Sequence, residues 1–127
     1  MQRNYEQVWQ HVDDHSPALT QLSEQIWDTP ELLFEEHKAV AAHTAELRRH
    51  GFRITDNVAG MPTAVMGEAG DGGPVIAVLG EYDALPGLSQ KAGVAEPVPL
   101  APGGSGHGCG HNLLGAGALL AAVAIRH

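Results

Sequence analysis

The segment His107-Gly108-Cys109-Gly110-His111 sets the single cysteine of a 127-residue chain between two histidines. Cysteine and histidine are soft to borderline metal donors, and glycine spacers let the backbone bend until two donors reach one ion. A lone cysteine cannot close an internal disulfide, so Cys109 is structural, reactive or metal-bound. Cys109 and His111 stand two apart and face one side if the segment is extended. On spacing alone, the pair supplies two of the roughly four ligands that a zinc site takes. Two other readings stay open: a buried small hydrophobe, and a thiol nucleophile with His107 or His111 as its base. His107 is a third donor, a hydrogen-bonding support of the site, or a loop histidine.

A second concentration of chemistry lies upstream, in Glu81-Tyr82-Asp83-Ala84-Leu85-Pro86. Glu81 and Asp83 point to the same side of an extended backbone, because side chains alternate with period two. They follow the run Pro74-Val75-Ile76-Ala77-Val78-Leu79-Gly80, which has no polar face and predicts a strand buried on both sides in a mainly parallel sheet. In open α/β sheets the ligand crevice lies at the carboxyl ends of such strands. A solvated strand end with a turn is the alternative for the two acids.

The remaining elements must hold these groups in place. Val8, Trp9 and Val12, then Leu19, Leu22, Ile26 and Trp27, recur at helical spacing, with Ser16-Pro17 as a break or a restart. A second helix is expected from about Glu31 to His50, with Leu33, Val40, Ala41, Thr44 and Leu47 inward and Gly51 ending it. Phe52 to Thr55 and Thr63 to Met66 read as extended, and Asp71-Gly72-Gly73 as a turn. A helix from about Asn112 to Ile125 follows the cysteine, with Asn112 as N-cap and a small-residue face for close packing against the sheet. Its positive end attracts an anionic sulfur. Helices outside and strands inside give an α/β class. The Pro/Gly-rich stretch from Pro86 to Gly106 reads as a functional loop.

Composition narrows the setting. At 127 residues the chain suits one core rather than two. A net charge of -8 disfavours nucleic acid and anionic membranes as partners. No apolar run reaches the roughly 18 residues of a membrane span, and Met1 to Glu6 lacks an apolar signal core, so a cytoplasmic location is expected.

Taken together and in order, Ile26-Trp27-Asp28-Thr29-Pro30-Glu31-Leu32-Leu33-Phe34-Glu35-Glu36-His37, Glu81 to Pro86 and His107 to His111 resemble the metal-dependent aminoacylase/carboxypeptidase family of amidohydrolases, most of all its aminobenzoyl-glutamate hydrolase branch. Glu81 and Asn112 depart from the commoner aspartates of the family, a departure that fits this branch and points to a shift in substrate. The resemblance implies the N-terminal part of an α/β/α sandwich catalytic domain over residues 1–127, with the lid or dimerisation domain absent. It implies two divalent ions, zinc or manganese, and cleavage of the amide of N-acyl or N-aroyl amino acids or dipeptides. Cys109 and His111 would be metal ligands, Asp83 an orienting carboxylate and His107 a supporting catalytic residue. The family's Glu-Glu pair and further histidine ligands have no counterpart here, and Val123 to His127 stops in an apolar helix. An inactive N-terminal portion is therefore expected. The alternatives are a metal-binding module, a homo-oligomer formed through an open sheet edge, and the thiol enzyme.

Overall fold

A computed structural model of the chain describes residues 5–126. Met1 to Asn4, where most of the expected lack of a signal core falls, and His127 lie outside the described residues. The elements in order are α1 (Tyr5–Asp28), α2 (His37–Arg49), β1 (Arg53–Asp56), a 3-10 turn (Val58–Gly60), β2 (Val65–Glu68) and α3 (His111–Arg126). None of these helices is long and apolar enough to cross a membrane.

The core is helical. Leu19, Leu22 and Ile26 of α1 meet Ala116, Leu119 and Val123 of α3, with Ala39 of α2 closing the cluster. Ile26 and Val123 are the largest fully buried side chains. Each contributes on the order of 1.5–3 kcal/mol from the apolar area it removes from water. The spacing of Leu19, Leu22 and Ile26 puts them on one stripe of α1. The helix continues through Pro17, and the Ser16 hydroxyl donates to the Val12 carbonyl at 2.6 Å, next to the turn where proline withdraws a donor. Ser16-Pro17 is thus neither break nor restart.

The second helix begins at His37 rather than Glu31. Glu31 acts from the preceding loop: its carboxylate accepts the backbone N–H of Lys38 at 2.9 Å and of Ala39 at 3.0 Å, two donors that the first helical turn leaves unpaired. Its carbonyl accepts the N–H of Ala84 at 2.7 Å, and Leu32 forms a parallel bridge with Ala84. One residue therefore ties the start of α2 to the segment that carries Asp83. The inward face of α2 is Ala39, His43 and Thr44; Ala41 is exposed, and Leu33, outside the helix, is 61% exposed.

The two strands pair antiparallel, Arg53 opposite Glu68 and Asp56 opposite Val65, and they form the one sheet among the described residues. The mainly parallel sheet expected from residues 74–80 is not formed. Among the described residues no strand pairs with that run, and it stays exposed, Val75 at 88% and Leu79 at 85%. Its apolar composition records a demand for burial that the described residues do not meet.

His43 is buried against Tyr82, ring centroids 4.8 Å apart, and its Nδ1–H donates to the Ala39 carbonyl at 3.1 Å. Burial lowers its imidazole below the ordinary 6.5, against the opposing pull of that hydrogen bond. The unfolded chain then takes up a proton that the folded chain refuses. Stability present above about pH 6.5 is lost as pH falls below it. Thermal denaturation at pH 7.5 and 5.5 should show a smaller acid-induced drop in Tm for His43→Gln than for the native chain, and equal drops would refute the assignment.

Candidate metal centre

Tyr82 orients the segment on which the site rests. Its ring turns into the core beside His43 and its hydroxyl donates to the Thr63 carbonyl, so the alternation of the extended chain turns Glu81 and Asp83 the other way. Burial, with the nearby Glu36 carboxylate, pushes the Tyr82 phenol up to about 12, which keeps it a neutral donor.

Two backbone contacts bring the downstream histidines to this segment. Leu85 and Gly106 form an antiparallel bridge, each N–H donating to the other's carbonyl at 3.0 Å, and Ser89 N–H donates to the Gly104 carbonyl at 3.0 Å. The stretch from Pro86 to Gly106 is therefore a necked excursion that returns the chain beside its starting point. Gly110, at φ +81°, then turns the chain into α3. Its carbonyl accepts the N–H groups of Leu113 and Leu114, both at 3.0 Å. Gly110, not Asn112, stands at the start of the helix. Asn112 is buried, and its amide donates to the Ser23 hydroxyl at 3.0 Å and the Ser23 carbonyl at 3.3 Å, joining α3 to α1. A carboxylate could make neither donation, so asparagine at this position serves helix packing.

His111, the first residue of α3, projects between the two acids. Its Nδ1 is 2.7 Å from Asp83 Oδ1 and its Nε2 3.0 Å from Glu81 Oε2. One donor atom from each of Glu81, Asp83 and His111 lies within 4.8 Å of the other two. Asp83 and His111 are partly shielded, their side chains 23% and 25% exposed, while Glu81 is open at 60%.

The cysteine and the first histidine stand differently. Cys109 is exposed, and its thiol donates to the Asp83 carbonyl at 3.8 Å, which borders the group without entering it. His107 is buried at 3% exposure; its Nε2–H donates to the Ile26 carbonyl at 3.1 Å and its ring centroid lies 6.5 Å from that of Trp27. Burial lowers its imidazole below the ordinary value, so the ring stays neutral and fastens the loop to α1. No hydrogen bond joins Cys109 to either histidine among the described residues. Glu81 is the group member that sequence reasoning left out of its ligand set, although its shared face with Asp83 was the available signal.

The chain is 46% identical over 125 residues to a p-aminobenzoyl-glutamate hydrolase subunit of Escherichia coli (strain K12), a match covering 95% of this chain and 26% of that protein. It is 32% identical over 128 residues to the Xaa-Arg dipeptidase of Mus musculus, covering 92% of the chain and 26% of the relative. With a Bacillus subtilis (strain 168) protein named as amidohydrolase YhaA the identity is 36% over 99 residues, 77% of the chain and 24% of the relative. The chain belongs to the amidohydrolase family. It corresponds to the N-terminal portion and spans about a quarter of the length of these relatives. No family model matches the chain.

The donor atoms of Glu81, Asp83 and His111 fit a divalent ion. Two carboxylates and an imidazole suit zinc and manganese alike, whereas the thiol of Cys109 would favour zinc. Two ligands of a tetrahedral ion stand about 3.3 Å apart when each bond is roughly 2.0 Å. Nε2 of His111 and Oε2 of Glu81, at 3.0 Å, are close to that separation. Asp83, on the opposite ring nitrogen, is placed where a carboxylate orients a ligating imidazole.

Gly115 lets α3 come this close. A Cβ built there would lie 2.6 Å from the Glu81 carbonyl oxygen and 2.9 Å from His43 Nε2, while one at Gly117 meets nothing within 4 Å. Gly115→Ala should lower stability by about 1–3 kcal/mol through overpacking and weaken divalent-ion binding. Gly117→Ala should raise stability by roughly 0.5–1 kcal/mol from helix propensity. Chemical denaturation with parallel zinc titration checks both, and native-like behaviour of Gly115→Ala would contradict the close approach.

Proposed function

We propose that the chain supplies the metal-binding quarter of a hydrolase that cleaves the amide bond of an N-acyl or N-aroyl amino acid of the aminobenzoyl-glutamate type, or of a dipeptide. The observation that carries this is the convergence of Glu81, Asp83 and His111 where the segment after Gly80 meets the start of α3. The names of the relatives, a p-aminobenzoyl-glutamate hydrolase and a dipeptidase, supply the substrate class. In this reading the segment ending at Gly80 is a strand of an α/β/α sandwich, and residues 1–127 are its N-terminal part. A cytoplasmic location goes with it.

His111 and Cys109 are the proposed ligands, Cys109 turning from the Asp83 carbonyl toward the ion. Glu81 is a further ligand on the open side. Asp83 holds the His111 ring in place by accepting its Nδ1 proton. His107 supports the loop that presents Cys109, through its hydrogen bond to Ile26. Bound divalent ions, two in the intact enzyme, would activate water and polarise the amide carbonyl. The chain's own residues fix donor direction and partly shield the Asp83 side. Among the described residues only one group of three donors occurs, so the isolated chain is expected to have little or no hydrolase activity.

The test replaces the corresponding quarter of the Escherichia coli relative with this chain and assays hydrolysis of aminobenzoyl-glutamate with zinc or manganese. Turnover is expected, with a loss of at least 100-fold for His111→Ala or Cys109→Ala. Asp83→Asn should weaken metal binding by roughly 10–100-fold, the usual effect of removing an orienting carboxylate. Activity indifferent to His111→Ala would refute the site, and turnover by the 127-residue chain alone would refute its inactivity.

A further inference from the structure

A cleft of about 240 Å³ opens beside the metal-binding group, its lining including Phe34, Glu36, Met61, Val65, Glu81 and Asp83. Glu81 and Asp83 belong to both. Phe34 and Met61 are its apolar walls, and each is carried by a strained turn. The turn from Leu32 to Glu35 is closed by the Glu35 N–H donating to the Leu32 carbonyl at 2.9 Å, with Phe34 at φ +65°, a turn position that glycine or asparagine normally takes. Met61 follows the turn of Val58–Gly60, where Asn57 and Ala59 both stand at φ +54°. Among the described residues these three are the non-glycine residues with left-handed backbone, and such strain gathers at ligand sites.

Glu36 gives the cleft its polar feature. It occupies the N-cap position of α2, yet its side chain makes no capping hydrogen bond, and the Lys38 and Ala39 N–H groups go to Glu31 instead. The Glu36 side chain is free for another role. It is 8% exposed and lines the cleft with Tyr82, and its Oε2 is buried with no hydrogen-bond partner among the described residues. A buried carboxylate oxygen without a donor is costly. A ligand can bring the donor that the chain does not.

We infer that this cleft receives the acyl side of the substrate and recognises an aryl amine, the ring packing on Phe34 and Met61 and the amino N–H groups donating to the Glu36 carboxylate. The inference rests on the reading of the chain as part of an amide hydrolase and assigns one end of its substrate. A cavity of roughly 150 Å³ takes a benzene ring, so about 240 Å³ has room for a ring with a substituent. An aromatic face and a thioether both make favourable contacts with that ring. The lone pair of an aryl amine is delocalised into its ring, so near neutral pH the group is an uncharged donor, and a carboxylate accepts it without a second charge to desolvate. The α-ammonium of a dipeptide stands next to the carbonyl carbon instead, and its position there leaves the two apolar walls unused.

Neutral probes test this on the full chain, because a net charge of -8 repels anionic substrates. 4-Aminobenzamide and benzamide are titrated in the presence of a chelator and followed by ligand-observed NMR. The native chain should bind 4-aminobenzamide at least tenfold more tightly, the scale of a hydrogen bond to a charged acceptor. In Glu36→Met that preference should vanish while benzamide affinity stays unchanged and Tm is equal or higher, since an unpartnered buried oxygen has been removed. Phe34→Gly should weaken both probes alike and raise Tm, because glycine adopts a left-handed φ without strain. Equal binding of the two probes by the native chain would overturn the inference, as would a preference that survives in Glu36→Met. Glu36-dependent binding of phenylalaninamide that is tighter than that of 4-aminobenzamide would overturn it too, in favour of a dipeptide's ammonium. Zinc titration of the same chain separates the two readings: failure to bind zinc sinks the metal centre and leaves the probe preference standing, whereas loss of the preference with zinc binding intact sinks this inference alone.

Discussion

The candidate centre depends on the distance between the start of α3 and the backbone at Glu81. His111 can stand between two carboxylates only because its helix lies almost against that carbonyl, with no side chain at Gly115 to hold them apart. The approach is fixed from the other side by burial of Leu119 and Val123 against α1 and by the Asn112–Ser23 hydrogen bonds. Hydrophobic packing sets the depth of the helix, and the amide sets its register. The polar geometry at the helix start follows from both.

The segment from Glu81 to Leu85 is held with equal economy. Leu32 bridges it on one side, Gly106 on the other, and Tyr82 anchors it from below. Glu31 adds a coupling, since the residue whose carboxylate caps α2 also receives the Ala84 N–H. Helix α2 and the acids of the site are thus positioned by one loop residue. A change at the start of that helix would reach Asp83 through two hydrogen bonds.

Much of this was legible from residue types. Alternation placed Glu81 and Asp83 on one face and helical spacing found Leu19, Leu22 and Ile26, whereas the small residues of α3, read as packing against a sheet, pack instead on α1 and on the backbone at Glu81. What failed did so for identifiable reasons. Glu31 resembles a helix start because acids favour helix N-termini, but it performs that role from six residues upstream. Asn112 has the chemistry of an N-cap, yet its amide found a better use once Ser23 was beside it. The partner was 89 residues away in sequence, beyond the reach of any local rule.

The run from Pro74 to Gly80 shows the sharper limit. An apolar stretch with no polar face states that burial is favourable on both sides; it does not supply the surfaces that bury it. Here Val75 and Leu79 remain in water on one flank of the helical layer while Glu81 and Asp83, a few residues further on, are already in place. The order is physically reasonable. Glu31, Tyr82 and Gly106 hold the acids through contacts made by the segment that follows Gly80, so the site's geometry does not wait on the burial of what precedes it. The grouping of Glu81, Asp83 and His111 is therefore stable to the extent that its own hydrogen bonds make it so, and those bonds are concentrated on Asp83 and His111 rather than on Cys109.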